Sequence, residues 1–258
     1  MLWLGVVVAC GSSSSEPPAG EFRLPPDNAG FDYQLGGPYE PPAGVTIVAR
    51  DRTAEPAPGL YNICYVNGFQ IQPDEEGFWL SDHPNLILRD AQNEPVIDLE
   101  WDEMLIDVST QAKRTEVAAI MATFMAGCAD AGFDAIEIDN LDSFTRSGGL
   151  LVEADAVAAM RLFADAAHAR GLAIAQKNSA ELVPRRGDLG TDFAVVEECN
   201  QFAECQDFTA QYGNHVLVIE YRQEDFTTGC AAFPALSIVL RDVNLTSPGT
   251  GTYVFDGC

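Results

Sequence analysis

Ionisable and amide side chains recur at the points where short apolar runs end. Asp139-Asn140 closes AIEID (135–139), and Lys177-Asn178 follows LAIAQ (172–176). Glu197-Glu198 ends FAVVE (193–197), Glu220-Tyr221 ends VLVIE (216–220), and Arg241-Asp242 ends SIVLR (237–241). Two carboxyl groups facing one reacting carbon can divide the work of breaking a bond. One, protonated, gives its proton to the leaving oxygen, and the other, ionised, acts from the opposite side. Asp139 and Glu197 suit that pairing because their runs are two apart in the series, with 172–176 between them. Parallel neighbours lie about 4.8 Å apart, so the two backbones start roughly 10 Å apart and inward-reaching side chains close the gap. Asp139 takes the nucleophile or base role and Glu197 the acid. Glu198, Glu220 or burial would raise the acid's pKa. Lys177 is informative because the chain has only two lysines, the other being Lys113.

The apolar runs themselves imply the scaffold. Strand candidates are 31–35, 45–49, 60–66, 104–108, 135–139, 172–176, 193–197, 216–220 and 237–241. Val117, Ile120, Met121, Phe124, Met125 and Cys128 form one apolar stripe at helical spacing, and a second helix is predicted over about 153–170, stopped by Gly171. Strands apolar nearly throughout and alternating with helices indicate a parallel sheet covered on its outer face. The expected fold is α/β, a single-domain (β/α)8 barrel, whose strand ends open onto one face where catalytic groups gather. Nine strand candidates are one too many, with 31–35 or 237–241 as the surplus. Region 67–103 shows no helical period and reads as a long loop over one end of the barrel.

Composition narrows the classes. The 258 residues include 39 Asp plus Glu against 14 Lys plus Arg, a formal net charge of −25, with 47% apolar residues. That supports a real core and argues against nucleic acid or an anionic membrane surface as partner. No apolar run reaches the roughly 18 residues of a membrane-spanning helix. His83, His168 and His215 are scattered, so neither a metal nor a cofactor is expected. Residues 1–9 run into Cys10 as Val7-Val8-Ala9-Cys10, resembling a bacterial lipoprotein signal peptide, though without its positively charged start. Export with a lipid anchor on Cys10 is expected, followed by a tether over 10–28 and the barrel over 29–258. Cys199 with Cys205 and Cys230 with Cys258 suit local bridges, whereas Cys64 and Cys128 read equally well as buried thiols.

Several strings together resemble glycoside hydrolase family 114, the endo-α-1,4-polygalactosaminidase-like group. They are FDYQLGG, LYNICYVNGF, GFDAIEIDNLDSF, AIAQKN, VVEECNQFAEC and VIEY, in the family's order and spacing. The resemblance implies a (β/α)8 barrel that cleaves α-1,4-linked galactosamine-containing polysaccharide within the chain, with Asp139 and Glu197 as the catalytic carboxylates. Phe31-Asp32 and the Val-Asn-Gly-Phe loop after Tyr65 depart from the family pattern and bear on the exact sugar. Tyr33, Tyr65, Asn140, Lys177, Asn178, Glu220 and Tyr221 are the candidate substrate-binding residues. Asp142 is expected to support its loop, and Asp32, Asp107 and Arg241 to line the cleft or anchor a network beneath it. A cationic polysaccharide and a monomer fit best. The competing readings are a carbohydrate-binding lipoprotein on the same barrel, a glycosidase for another α-linked polymer, and a metal-dependent hydrolase, which the histidines disfavour.

Overall fold

The computed structural model describes residues 22–258. The leader 1–9, Cys10 and the tether as far as residue 21 therefore lie outside the described residues. Residues 22–28, assigned to the tether from sequence, pack on the barrel instead. The Phe22 ring stacks on His168 at 4.7 Å, Tyr61 donates to the Arg23 carbonyl at 2.6 Å, and Arg23 pairs with Asp134 at 2.6 Å. These partners sit at strand starts, so the segment covers the end of the barrel opposite the strand-end carboxylates.

Eight parallel strands run in the order β1 (Gly30–Tyr33), β2 (Val45–Asp51), β3 (Tyr61–Asn67), β7 (Ala135–Asp139), β8 (Ala173–Lys177), β9 (Phe193–Glu197), β10 (Val216–Glu220) and β11 (Ser237–Arg241). Both surplus candidates named from sequence, 31–35 and 237–241, belong to the barrel. The extra segment is 104–108. Its first part forms β6 (Glu103–Leu105) in a separate antiparallel sheet with β4 (Gln70–Ile71) and β5 (Ile97–Asp98). Leu105 and Ile106 are buried against the helix that follows, which gives 104–108 the continuous apolar signature of a barrel strand. Region 67–103 is accordingly a small folded insertion, with α1 (Glu76–Asp82) carrying the fully buried Trp79. Strands of two or three residues and a seven-residue helix are too short to leave a readable period.

The long helices form where the apolar stripes predict. α2 (Gln111–Ala131) is capped by the Thr110 hydroxyl, which accepts from the Lys113 N–H, and ends at Gly132 with φ +99°. α3 (Glu153–His168) buries Val157, Met160, Phe163, Ala164 and Ala167. The layer is completed by α4 (Arg186–Leu189), α5 (Cys205–Tyr212) and α6 (Gln223–Ala232). None of the described helices is long and apolar enough to cross a membrane. Three disulfides fasten the layer: Cys64–Cys128 joins β3 to α2, Cys199–Cys205 closes the loop after β9, and Cys230–Cys258 holds the carboxyl end to α6. Three such bridges fit an oxidising, extracytoplasmic compartment.

No backbone ladder joins β11 to β1 among the described residues. Side chains close the seam. Arg241 and Asp32, both fully buried, pair at 2.8 Å, and the same guanidinium also donates to the carbonyls of Tyr33, Thr246 and Val254. The Ala29 N–H donates to Ser237 Oγ at 3.0 Å, and β12 (Phe255–Gly257) adds antiparallel to β11. Above the seam, a Cβ on Gly36 would stand 2.3 Å from the Leu245 carbonyl, so only glycine allows the two loops to close there. Replacing Arg241 by Met leaves Asp32 as a buried unpaired charge. The expected loss is about 3–5 kcal/mol of unfolding free energy in urea; wild-type stability would show that the seam does not depend on this pair.

Candidate active site

Alternation along a strand puts residues two apart on the same face. The barrel interior therefore receives Ala135, Glu137 and Asp139 from β7, Ala173, Ala175 and Lys177 from β8, and Phe193, Val195 and Glu197 from β9. Ile136, Ile138, Val196 and Val218 turn outward to the helices. Alanines at three of the lower inward positions leave room for Tyr33, Phe193 and the Lys177 stem in the same core.

Lys177 is 2% exposed, and its Nζ lies 3.1 Å from Glu137 Oε1, 3.5 Å from Asp139 Oδ1 and 3.3 Å from Glu197 Oε2. Each of these carboxylates also has a tyrosine. Tyr33 donates to Glu137 Oε1 at 2.6 Å, Tyr65 to Asp139 Oδ2 at 2.8 Å, and Tyr221 to Glu197 Oε1. Burial, reinforced by the neighbouring anions, holds all three phenols above their ordinary range, so they remain donors. Burial alone would lower the Lys177 ammonium. The carboxylates outweigh it and hold the group charged, above its usual value. Glu137, wholly buried, is pushed up to about 7 by burial, with Lys177 opposing and Asp139 adding to the rise.

The turns leaving these strands are left-handed at non-glycine residues: Asn140 (φ +62°), Asn178 (φ +46°) and Glu198 (φ +57°). Such strain clusters where a backbone must re-aim polar groups. Here the Asn140 N–H donates back to Asp139 Oδ1 at 2.8 Å. Asn178 grips Glu197 twice, accepting from its N–H at 2.8 Å and donating to Oε2 at 3.0 Å.

Over this floor opens a cleft of about 740 Å³. The insertion contributes Glu100, Trp101 and Glu103 to its wall, and the loop after β9 contributes Phe202. Trp101 and Phe202 are 61% and 58% exposed at this wall. Asn67 fastens the insertion by donating to Glu103 Oε2 at 3.0 Å and accepting from Asn140. Arg146 fastens it again, reaching Asp98 at 2.7 Å and Asp142 at 2.9 Å. Seven carboxylates and two cationic side chains line the cleft, and both cations are already held in ion pairs.

The structure brings together Tyr33, Tyr65, Asp139, Asn140, Lys177, Asn178, Glu197 and Tyr221. Tyr33 and Tyr65 are buried and hold carboxylates, so neither offers a ring face for stacking. Asn178 orients Glu197, not Asp139. Asp142 supports its loop through Arg146. Asp32 and Arg241 anchor the network beneath the cleft. Two expectations fail. Glu220 shares the outward parity of Val216 and Val218 and accepts from Asn200 in the helical layer, away from the cleft. Asp107 binds Lys113 and Ser109 at the start of α2, because 104–108 is not a barrel strand. Glu137 escaped the sequence reading although A-I-E-I-D displays its parity with Asp139. Glu103 and Trp101 carry no such signal.

Glu103 makes this environment measurable. Burial raises its carboxyl to about 7; the Asn67 hydrogen bond opposes the rise, and Asp139, Asp98 and Glu75 add to it. A carboxyl with a raised folded-state pKa contributes stability that is complete below its unfolded pKa of 4.5 and lost as pH rises toward 7. Melting temperatures across that interval should decline less in Glu103→Gln than in the wild type; parallel declines would refute the assignment.

The family profile described as glycoside-hydrolase family GH114 matches residues 11–257. Ega3 of Aspergillus fumigatus, solved in complex with galactosamine, superposes with a TM-score of 0.69 at 21% identity, over 96% of this chain and 99% of that one. The glycoside hydrolase domain of PelA from Pseudomonas aeruginosa gives 0.58 at 16% identity, over 87% and 98%. The α-galactosidase TtGalA of Thermus thermophilus gives 0.51 at 14% identity, over 88% and 61%. Likeness at these identities speaks for the (β/α)8 barrel fold alone. A comparison with curated protein sequences finds no match. Because the profile spans all of the barrel and its strand-end carboxylates, the chain belongs to glycoside-hydrolase family GH114 and is a glycoside hydrolase.

Proposed function

We propose that the protein is an endo-acting hydrolase of α-1,4-linked galactosamine-containing polysaccharide, with Asp139 as nucleophile and Glu197 as general acid. The observation that carries this reading is the single ammonium of Lys177 touching both carboxylates on the cleft floor. Oxygens 3.5 Å and 3.3 Å from one nitrogen are at most about 6.8 Å apart. That bound reaches only the lower edge of the separation, roughly 6.5–9.5 Å, that inverting enzymes need for a water, and it leaves the retaining value of about 5–5.5 Å open.

In the proposed sequence Asp139 attacks the anomeric carbon as its bond to the glycosidic oxygen breaks, and Glu197 gives that oxygen its proton. Glu197 then takes a proton from water, and the hydroxide so formed displaces Asp139 from the anomeric carbon. The excess of carboxylates favours a polymer bearing protonated amines, since a cleft of one sign concentrates the opposite charge. Trp101 and Phe202 are suited to stacking on sugar rings. The printed ligand of Ega3, galactosamine, points the same way.

Export accords with the three disulfides, and the proposal extends to a monomer anchored through Cys10. Cys10→Ser is expected to shift the protein from the membrane fraction to the soluble fraction of cells; unchanged partitioning would reject the anchor.

Reducing-end release from partly deacetylated α-1,4-galactosaminan tests the reaction. Wild-type cleavage should fall at least about a hundredfold in folded Asp139→Asn and Glu197→Gln variants, with the α-anomer as the first product. Activity surviving in either variant would reassign the pair, and a β-anomer would reject retention. Polymer binding without cleavage by the wild type would favour a carbohydrate-binding role.

A further inference from the structure

Glu137 is the ionisable group at this centre to which the proposed reaction gives no task. It lies two residues before Asp139 on β7, facing the same way and fully buried. Its neighbours differ from it in one respect. Asp139 and Glu197 each have both oxygens engaged, Asp139 by Tyr65, Asn140 and Lys177, and Glu197 by Tyr221, Asn178 and Lys177. Glu137 takes Tyr33 and Lys177 on the same oxygen, and its buried Oε2 has no hydrogen-bond partner.

The groups that face Glu137 are Tyr33 from β1, Tyr65 from β3, Asp139 on its own strand and Lys177 from β8, whose ammonium also reaches Glu197 from β9. Arg241 of β11 is committed to Asp32 and to the Tyr33 carbonyl. Three carboxylates thus share one ammonium, and full ionisation leaves two uncompensated negative charges in a buried place. Glu137 and Glu197 compete for that ammonium, so the charge on Glu137 bears on where it sits.

We propose that Glu137 is the positioning residue of this centre: through Oε1 it holds the Lys177 ammonium between Asp139 and Glu197, where that ammonium touches both. The role rests on the reaction proposed above. Burial pushes Glu137 up to about 7, so the alkaline limb of activity belongs to the coupled cluster around Lys177.

Glu137→Gln is nearly isosteric and removes only the charge. The alkaline limb of kcat/KM on galactosaminan should move down by about one pH unit, with kcat reduced at neutral pH and KM unchanged. Glu137→Asp, which keeps the charge, should bring the limb back toward the wild type. A residue that merely fills the core would move neither limb, and an unmoved limb in the folded Gln variant overturns the proposal. Carboxyl ¹³C resonances read the same quantity without substrate. The Glu137 signal, identified by its loss in Glu137→Gln, should titrate near neutrality, and the Glu197 signal should change position in that variant as Lys177 moves. An enzyme inert on the polymer that still shows both shifts removes the substrate reading and leaves the placement of Glu137 standing. A Glu137 signal titrating in the ordinary carboxylate range overturns it.

Discussion

A buried ammonium is expensive unless its surroundings supply charge and hydrogen bonds, and the arrangement around Lys177 follows from that cost. Three adjacent strands each deliver an ionised or ionisable group to one level of the barrel, Glu137 and Asp139 from β7, Lys177 from β8 and Glu197 from β9. Strands β1 and β3 and the residue after β10 deliver the three phenols that complete the carboxylates' partners. The lysine fixes Asp139 and Glu197 relative to each other more directly than the backbone does. A shift of any one strand would leave an unpaired charge in the interior.

That demand for fixed strands makes the seam important. The other seven neighbouring pairs of barrel strands are held by backbone ladders. Between β11 and β1 the buried Arg241–Asp32 pair does the same work with side chains. It also reaches the site, because Arg241 holds the carbonyl of Tyr33, whose hydroxyl holds Glu137. Closure of the barrel and geometry of the cleft floor are thus linked through one residue. Cys64–Cys128 and Cys230–Cys258 brace elements on either side, β3 and the end of the chain.

The strand-end groups were legible because each follows a long apolar run with turn residues after it. Asp139, Lys177, Glu197 and Tyr221 all meet at the cleft as their positions imply. Legibility failed where position along the chain was used without parity. Glu220 ends its strand as plainly as Glu197 does, yet it has the parity of Val216 and Val218 and faces the helices. Glu137 lies within an apolar strand and reads as an interruption, although its parity with Asp139 is visible in the sequence. The insertion defeats sequence reading for a different reason. Its strand β4 pairs with β6 over a long separation, Gln70 with Leu105, which nothing local encodes, and β5 and β6, though a local hairpin joining Asp98 to Glu103, are too short to leave a readable period. The fate of Cys64 and Cys128 was open for the same reason, 64 residues apart as they are.

The division between barrel and insertion is also a division of chemistry. The carboxylates of the cleft floor, to which the proposal gives the bond-breaking step, sit on strands, where ladders and the Lys177 cluster restrain them. Groups that need only offer a face or a charge sit on the insertion and loops, where sequence can vary without disturbing the floor. Trp101, Glu100 and Glu103 are of the second kind, joined to the first through Asn67 and through Arg146. Glu103 stands at the boundary between them. Burial and neighbouring carboxylates raise its pKa, so its charge, and with it the field of the cleft, changes across neutral pH. Since Asp139 is among the charges that raise it, the charge on the cleft floor is felt at the cleft wall.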